Sequence, residues 1–136
     1  MHDKIAIRPA RPRTPRKPGR GRPHAVAVVA CDGVALFELA VASDVFGASL
    51  TLASGAPLYR VAICGPAPSV MTDAGFRMEV PHGLDTLEEA ETIVVLPTRF
   101  PDRVPAAVLN ALRLARSREQ RVLSLCTGAF VLAAAG

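Results

Sequence analysis

Arg121-Val122-Leu123-Ser124-Leu125-Cys126-Thr127-Gly128-Ala129-Phe130-Val131-Leu132-Ala133-Ala134-Ala135-Gly136 is the stretch that decides the fold. Arg121 to Leu125 reads as a short buried strand with Cys126 at its end. Thr127-Gly128 then turns the chain into an apolar run, Ala129 to Ala135, of helical composition. A strand, a sharp turn and a helix lift the turn residue clear of the sheet, at the amino end of the helix. Unpaired N–H groups and the helix dipole favour an anion there, such as a thiolate. Cysteine is also among the most buried residue types, and a buried cysteine is usually inert. The Thr-Gly turn that opens a small-residue helix argues for the reactive placement of Cys126.

Outward from this stretch, the chain alternates. Thr92 to Leu96 is an apolar strand stopped by Pro97, and Val104 to Arg118 follows as an amphipathic helix with Val104, Val108, Leu112 and Ala115 on one face. Arg113, Arg116 and Arg118 lie towards its carboxyl end, where the dipole favours cations, and are expected on a solvated face. Near the other end of the chain, His24 to Cys31 is a nearly all-apolar run, as a central parallel strand would be. Asp32-Gly33 ends it, and Val34 to Ala53 has a helical pattern, with Leu36, Leu39, Ala40, Val45, Phe46 and Leu50 on the apolar side. Tyr59 to Cys64 is a further strand, closed by Gly65-Pro66. Ser69 to Thr72 and Phe76 to Val80 flank Asp73-Ala74-Gly75 as a small hairpin, and Leu84 to Ala90 is a short helix.

Alternation of this kind predicts an α/β domain with an open, mostly parallel sheet and helices on both faces. Ligands in such sheets bind outside the carboxyl ends of the strands. Cys31/Asp32, Pro97/Thr98 and Cys126/Thr127 all fall at such ends and should line one common edge.

Composition narrows the function. The net charge is +4, but eight of the 16 Lys/Arg and only one of the 12 Asp/Glu lie in residues 1–23. The basicity therefore belongs to an Arg/Pro-rich tail, expected to be disordered, and residues 24–136 form a mildly acidic domain. That distribution argues against a nucleic-acid-binding domain. The three cysteines have no metal-knuckle spacing, and their positions in strand-like runs suit a reducing cytoplasm. No metal and no cofactor is expected. No apolar run reaches the length of a membrane span. The last helix ends after about two turns, a marginal length, so the domain is expected to be truncated at its carboxyl end.

Asp32-Gly33-Val34, Phe37-Glu38-Leu39, Asp44-Val45-Phe46, Pro81-His82-Gly83-Leu84, Val94-Val95-Leu96-Pro97 and Val122 through Ala133 together resemble the class I glutamine amidotransferase-like, ThiJ/PfpI superfamily. More narrowly they resemble its members at the amino terminus of AraC-type transcriptional regulators. The resemblance covers about residues 24–136 and implies a flavodoxin-like three-layer α/β sandwich. By position, it implies that Cys126 is the elbow cysteine and Glu38 the acid that approaches it. A protonated Glu38 would donate to the thiolate and orient it. The Thr127 N–H would be one oxyanion donor. Cys126, Thr127, Glu38, Pro97 and Thr98 are the expected ligand-binding residues, with Cys126 and Glu38 catalytic if the domain is active.

Two departures bear on activity. Gly is frequent in the family where Thr98 stands, and the family's enzymes commonly supply a His after the elbow helix, a position that His2, His24 and His82 do not match. The expectation is a ligand-sensing, homodimerising domain of an AraC-type regulator. Its small-molecule effector is unknown, and DNA would be read only through a carboxyl-terminal helix-turn-helix module outside this chain. The alternative is a cysteine-dependent hydrolase, hydratase or glyoxalase-like lyase using Cys126. No membrane association is expected.

Overall fold

A computed structural model describes residues 22–47 and 55–136. The Arg/Pro tail up to residue 21 and the last expected helical turn at 48–53 lie outside the described residues. Four parallel strands form the sheet, in the spatial order Tyr59–Cys64, His24–Val29, Thr92–Val95, Arg121–Ser124. They are β1 (His24–Val29), β2 (Tyr59–Cys64), β5 (Thr92–Val95) and β6 (Arg121–Ser124). β3 (Ser69–Met71) and β4 (Arg77–Glu79) pair antiparallel as a separate hairpin. The helices are α1 (Leu36–Gly47), α2 (Ala106–Ser117) and α3 (Gly128–Ala135), with 3-10 turns at Leu84–Glu88 and Pro101–Arg103.

The period of two along each strand divides the core into two. Ala27, Val29, Ile93 and Val95 face Val108, Leu112 and Ala115 of α2 and Val131 of α3. Val26, Val28 and Val94 face Leu39 and Ala42 of α1 and Val70 of the hairpin. β5 is buried along its whole length, as expected of a central strand covered on both faces. The result is the three-layer α/β sandwich expected from the sequence.

Several boundaries and faces differ from the sequence reading. α1 starts at Leu36, not Val34, because residues 31–35 are spent joining β1 to its neighbours. Ala35 N–H donates to Pro97 O at 3.1 Å, and Arg99 N–H donates to Gly33 O at 2.9 Å. The hairpin turn then caps the helix from far away in sequence, with Leu36 N–H donating to Asp73 Oδ1 at 3.2 Å. α1 buries Leu39 and Ala42, whereas Val45 is exposed and Phe37 is 75% exposed. Its apolar residues run nearly all round, so periodicity does not select the buried face. Arg113, Arg116 and Arg118 are exposed, as expected, and they also hold partners. Arg113 Nε donates to Ala135 O at 2.8 Å, and Arg116 donates to Gly136 O. The last carbonyls of a helix lack intrahelical donors, and these guanidinium groups supply them. Arg118 reaches Glu88 at 3.5 Å.

Candidate functional site

The site begins where β6 ends. Leu125 N–H still donates to Val95 O at 3.1 Å, so pairing with β5 runs to the residue before the cysteine. Cys126 then takes φ 46, in the left-handed region. A residue with a Cβ avoids this conformation at a cost of roughly 1–2 kcal/mol, and such strain collects at functional sites. Gly128 N–H donates back to Leu125 O at 2.9 Å, and Phe130 N–H to Thr127 O at 3.0 Å, closing the turn into α3. Gly128 is required here: a Cβ would lie 2.5 Å from Val95 O and 3.2 Å from Leu96 C. The start of α3 is thereby pressed against the end of β5.

This geometry exposes Cys126, whereas Cys31, just past β1, and Cys64, at the end of β2, are buried in the core. Burial pushes the Cys31 thiol up to about 11, and Cys64 up to about 12, so both stay protonated at neutral pH. Thr127 is exposed beside Cys126 at the amino end of α3. Among the described residues no side chain caps that end of the helix.

Pro97 and Thr98 lie buried on the neighbouring strand end. The Thr98 hydroxyl donates to Asp32 O at 2.5 Å and accepts the Phe100 N–H at 3.0 Å. It therefore ties the β5 end to the β1 loop. Glu38 sits half-buried in the first turn of α1. Among the described residues it makes no hydrogen bond or ion pair, so no such bond joins it to Cys126. Cys126 and Thr127, Pro97 and Thr98, and Cys31 and Asp32 follow three adjacent strands and share one edge of the sheet.

Among the described residues, neither His24 nor His82 is hydrogen-bonded to Cys126. His24 opens β1, at the opposite end of the sheet, where its Nε2 is 2.8 Å from Thr92 Oγ1. His82 is exposed after the hairpin, its carbonyl accepting the Gly65 N–H at 3.1 Å. Among the described residues no group of His, Cys, Asp and Glu could hold a metal ion, and no helix is long and apolar enough to cross a membrane.

A second feature of the same edge is a cleft of about 320 Å³ that Cys126 does not line. Cys31, Asp32, Val70, Thr98, Phe100 and Arg103 are among its walls. Asp32 and Thr98 were readable from the sequence as strand-end residues. Phe100 and Arg103 were not, because they lie in the irregular segment between Pro97 and α2, and only the fold brings them to β1.

No protein-family model and no curated protein matches the chain. Solved structures do match in fold. An AraC family transcriptional regulator from Pseudomonas putida superposes with a TM-score of 0.68 at 19% identity, over 82% of this chain and 70% of that one. A ThiJ/PfpI family protein from Pseudomonas syringae gives 0.68 at 18% identity, over 88% of this chain and 52% of that one. Drosophila melanogaster DJ-1beta gives 0.68 at 16% identity, over 85% of this chain and 61% of that one. The chain thus spans less than two thirds of the length of the latter two. The strand order, the three layers and the cysteine turn after β6 are accordingly set in the flavodoxin-like α/β fold shared by these ThiJ/PfpI, DJ-1 and AraC-regulator structures.

Proposed function

We propose that this chain is the ligand-sensing, dimerising part of an AraC-type transcriptional regulator working in the cytoplasm, with DNA read by a module outside it. The observation that carries this reading is that, among the described residues, no acidic or basic side chain is hydrogen-bonded to Cys126. His24 is engaged with Thr92 at the far end of the sheet, and Glu38 makes no hydrogen bond to the thiol. A nucleophilic cysteine is activated by an adjacent base or by a lowered thiol pKa, and only the helix end offers the second here. A binding site needs only the shaped edge and a few oriented polar groups. The likeness to the Pseudomonas putida regulator is compatible with this reading, and the ThiJ/PfpI protein and DJ-1beta superpose equally well.

The alternative, a cysteine-dependent hydrolase or lyase, is favoured by one observation, the exposed Cys126 in its left-handed turn. Turnover separates the two. The 136-residue chain is incubated with p-nitrophenyl acetate and, separately, with methylglyoxal, beside its Cys126→Ala variant. The regulator reading expects no multiple turnover beyond that of the variant, and a dimer in sedimentation equilibrium. Repeated, Cys126-dependent turnover of either compound would replace it with the enzyme reading.

A further inference from the structure

The cleft holds two opposite charges that do not neutralise each other. Asp32 contributes a carboxylate whose Oδ1 accepts the Met71 N–H at 2.7 Å. That bond fixes the carboxylate and leaves Oδ2 without a protein partner among the described residues. Arg103 contributes a guanidinium whose carbon lies 5.6 Å from the centroid of the Phe100 ring. Stacking of this kind positions the cation without using its N–H donors. Among the described residues neither group makes an ion pair, with the other or with anything else.

The rest of the lining is apolar or neutral. Pro66, Val70 and Val104 contribute hydrocarbon. The Cys31 thiol, raised to about 11, adds no competing negative charge at neutral pH. An apolar cavity of this size with a few convergent polar groups is the usual form of a small-molecule site.

The topology puts the cleft where such a site belongs. β1 lies between β2 and β5, and the chain crosses from one side of β1 to the other between them. A crevice outside the carboxyl ends of the strands at such a reversal is the general ligand position in open α/β sheets. Its walls come from both sides of the reversal, with Pro66 and Val70 following β2 and Thr98 to Val104 following β5.

We propose that this cleft binds a small zwitterion, an amino-carboxylate with a short aliphatic body, its ammonium held by Asp32 and its carboxylate by Arg103. The ligand would complete two half-made ion pairs at once. The guanidinium fork matches a carboxylate in two-pronged fashion, and charge-assisted hydrogen bonds of this kind are the strong ones. A molecule with only one of the charges would leave the other wall unpaired. The site is separate from the Cys126 turn, and the proposal holds whether the domain serves a regulator or an enzyme.

The test is a titration of the 15N-labelled full chain followed by amide chemical shifts. The probes are L-leucine and 6-aminohexanoate, which carry the two charges at short and long spacing. The controls are 4-methylpentanoate and pentylamine, each with one charge. With probes up to about 10 mM, at least one zwitterion should shift amides in 31–33, 66–70 and 98–107 with millimolar affinity or better, and each control should bind roughly tenfold or more weakly. Asp32→Asn keeps an acceptor for Met71 N–H, and Arg103→Met keeps a stem over Phe100; each should weaken the zwitterion roughly tenfold or more. Three results would overturn the proposal: no shifts in those segments with either zwitterion, controls that bind as well as the zwitterions, or shifts centred on 125–130. If a variant loses its dispersed spectrum, the comparison of zwitterions with controls on the unaltered chain still decides.

Discussion

Cys126 is held in a conformation that its own Cβ disfavours, at φ 46. The strain belongs to the turn and not to the thiol, so substitutions separate the two. Cys126→Gly should be more stable than Cys126→Ala by about 1 kcal/mol in urea denaturation, because Ala keeps the strained Cβ. Equal stabilities would mean that the turn relaxes when the sulfur is removed. Exposure and burial divide the three thiols more sharply. Iodoacetamide at neutral pH should label Cys126 alone in the folded chain, with Cys31 and Cys64 labelled only after denaturation. A native adduct on either buried cysteine, read by mass spectrometry, would contradict this. Glu91 supplies a pH dependence. Its carboxylate accepts the Ala25 N–H at 3.0 Å and lies near His24, Arg22 and Arg121, which together outweigh its partial burial and hold its pKa below the usual 4.5. A lowered folded pKa gives stability that is present above the unfolded value and lost as pH falls through the folded one. The stability gap between the native chain and Glu91→Gln should therefore be present above 4.5 and close as the solution is acidified below it. The group is partly exposed, so the gap should be small, and a gap that widened in acid would refute the assignment.

At the scale of elements, the junctions carry the constraints that the strands and helices do not. Gly128→Ala would drive a Cβ to 2.5 Å from Val95 O, which is backbone and cannot swing away. Moving α3 off β5 should cost on the order of 1–3 kcal/mol. Its chemical denaturation midpoint should fall accordingly, whereas Ala134→Gly, at an exposed position of the same helix, should cost only about 1 kcal/mol. Strands and their order along the chain were legible because β1 and β5 are apolar runs bounded by Pro and Gly, and because each run has a strand's length. The start of α1 was not legible, since its cap is Asp73, from the hairpin turn. Nor were the roles of Arg113 and Arg116, whose partners lie at the end of α3. Local patterns record periodicity and breakers, and they hold no trace of a partner twenty or more residues away. The site shows the same division. Cys126, Thr127, Pro97, Thr98 and Asp32 were readable as strand-end residues on one edge, whereas the union of Asp32 with Arg103 depends on how the segment after β5 folds back.

Across the whole molecule, burial is uneven, and this sets where the structure should open first. β5 is fully buried, and five of the six residues of β1 are buried. β2 and β6, at the two edges of the sheet, are mostly half-buried. α3, which packs on α2 and against the ends of β5 and β6, leaves Phe130 61% exposed. An edge strand has neighbours on one side only, and local stability follows buried apolar contact. Opening of β6 with α3 uncovers little core, because only Gly128, Val131 and Ala135 of that helix are buried. Opening of β5 would uncover both cores at once, since Ile93 and Val95 face one and Val94 and Leu96 the other. Native-state hydrogen exchange should therefore show amides of β1 and β5 exchanging only through global unfolding, with a free energy equal to that from denaturation. Those of β6 and α3 should exchange through a smaller opening, at least about 1 kcal/mol less costly. Dimerisation through the β6 edge or the exposed face carrying Phe130 would change this pattern in one direction only. Protection of β6 and α3 would then rise with protein concentration while that of β5 stayed fixed. Exchange measured at two concentrations thus reports both the hierarchy of stability within one chain and whether its β6 side is the surface by which two chains meet.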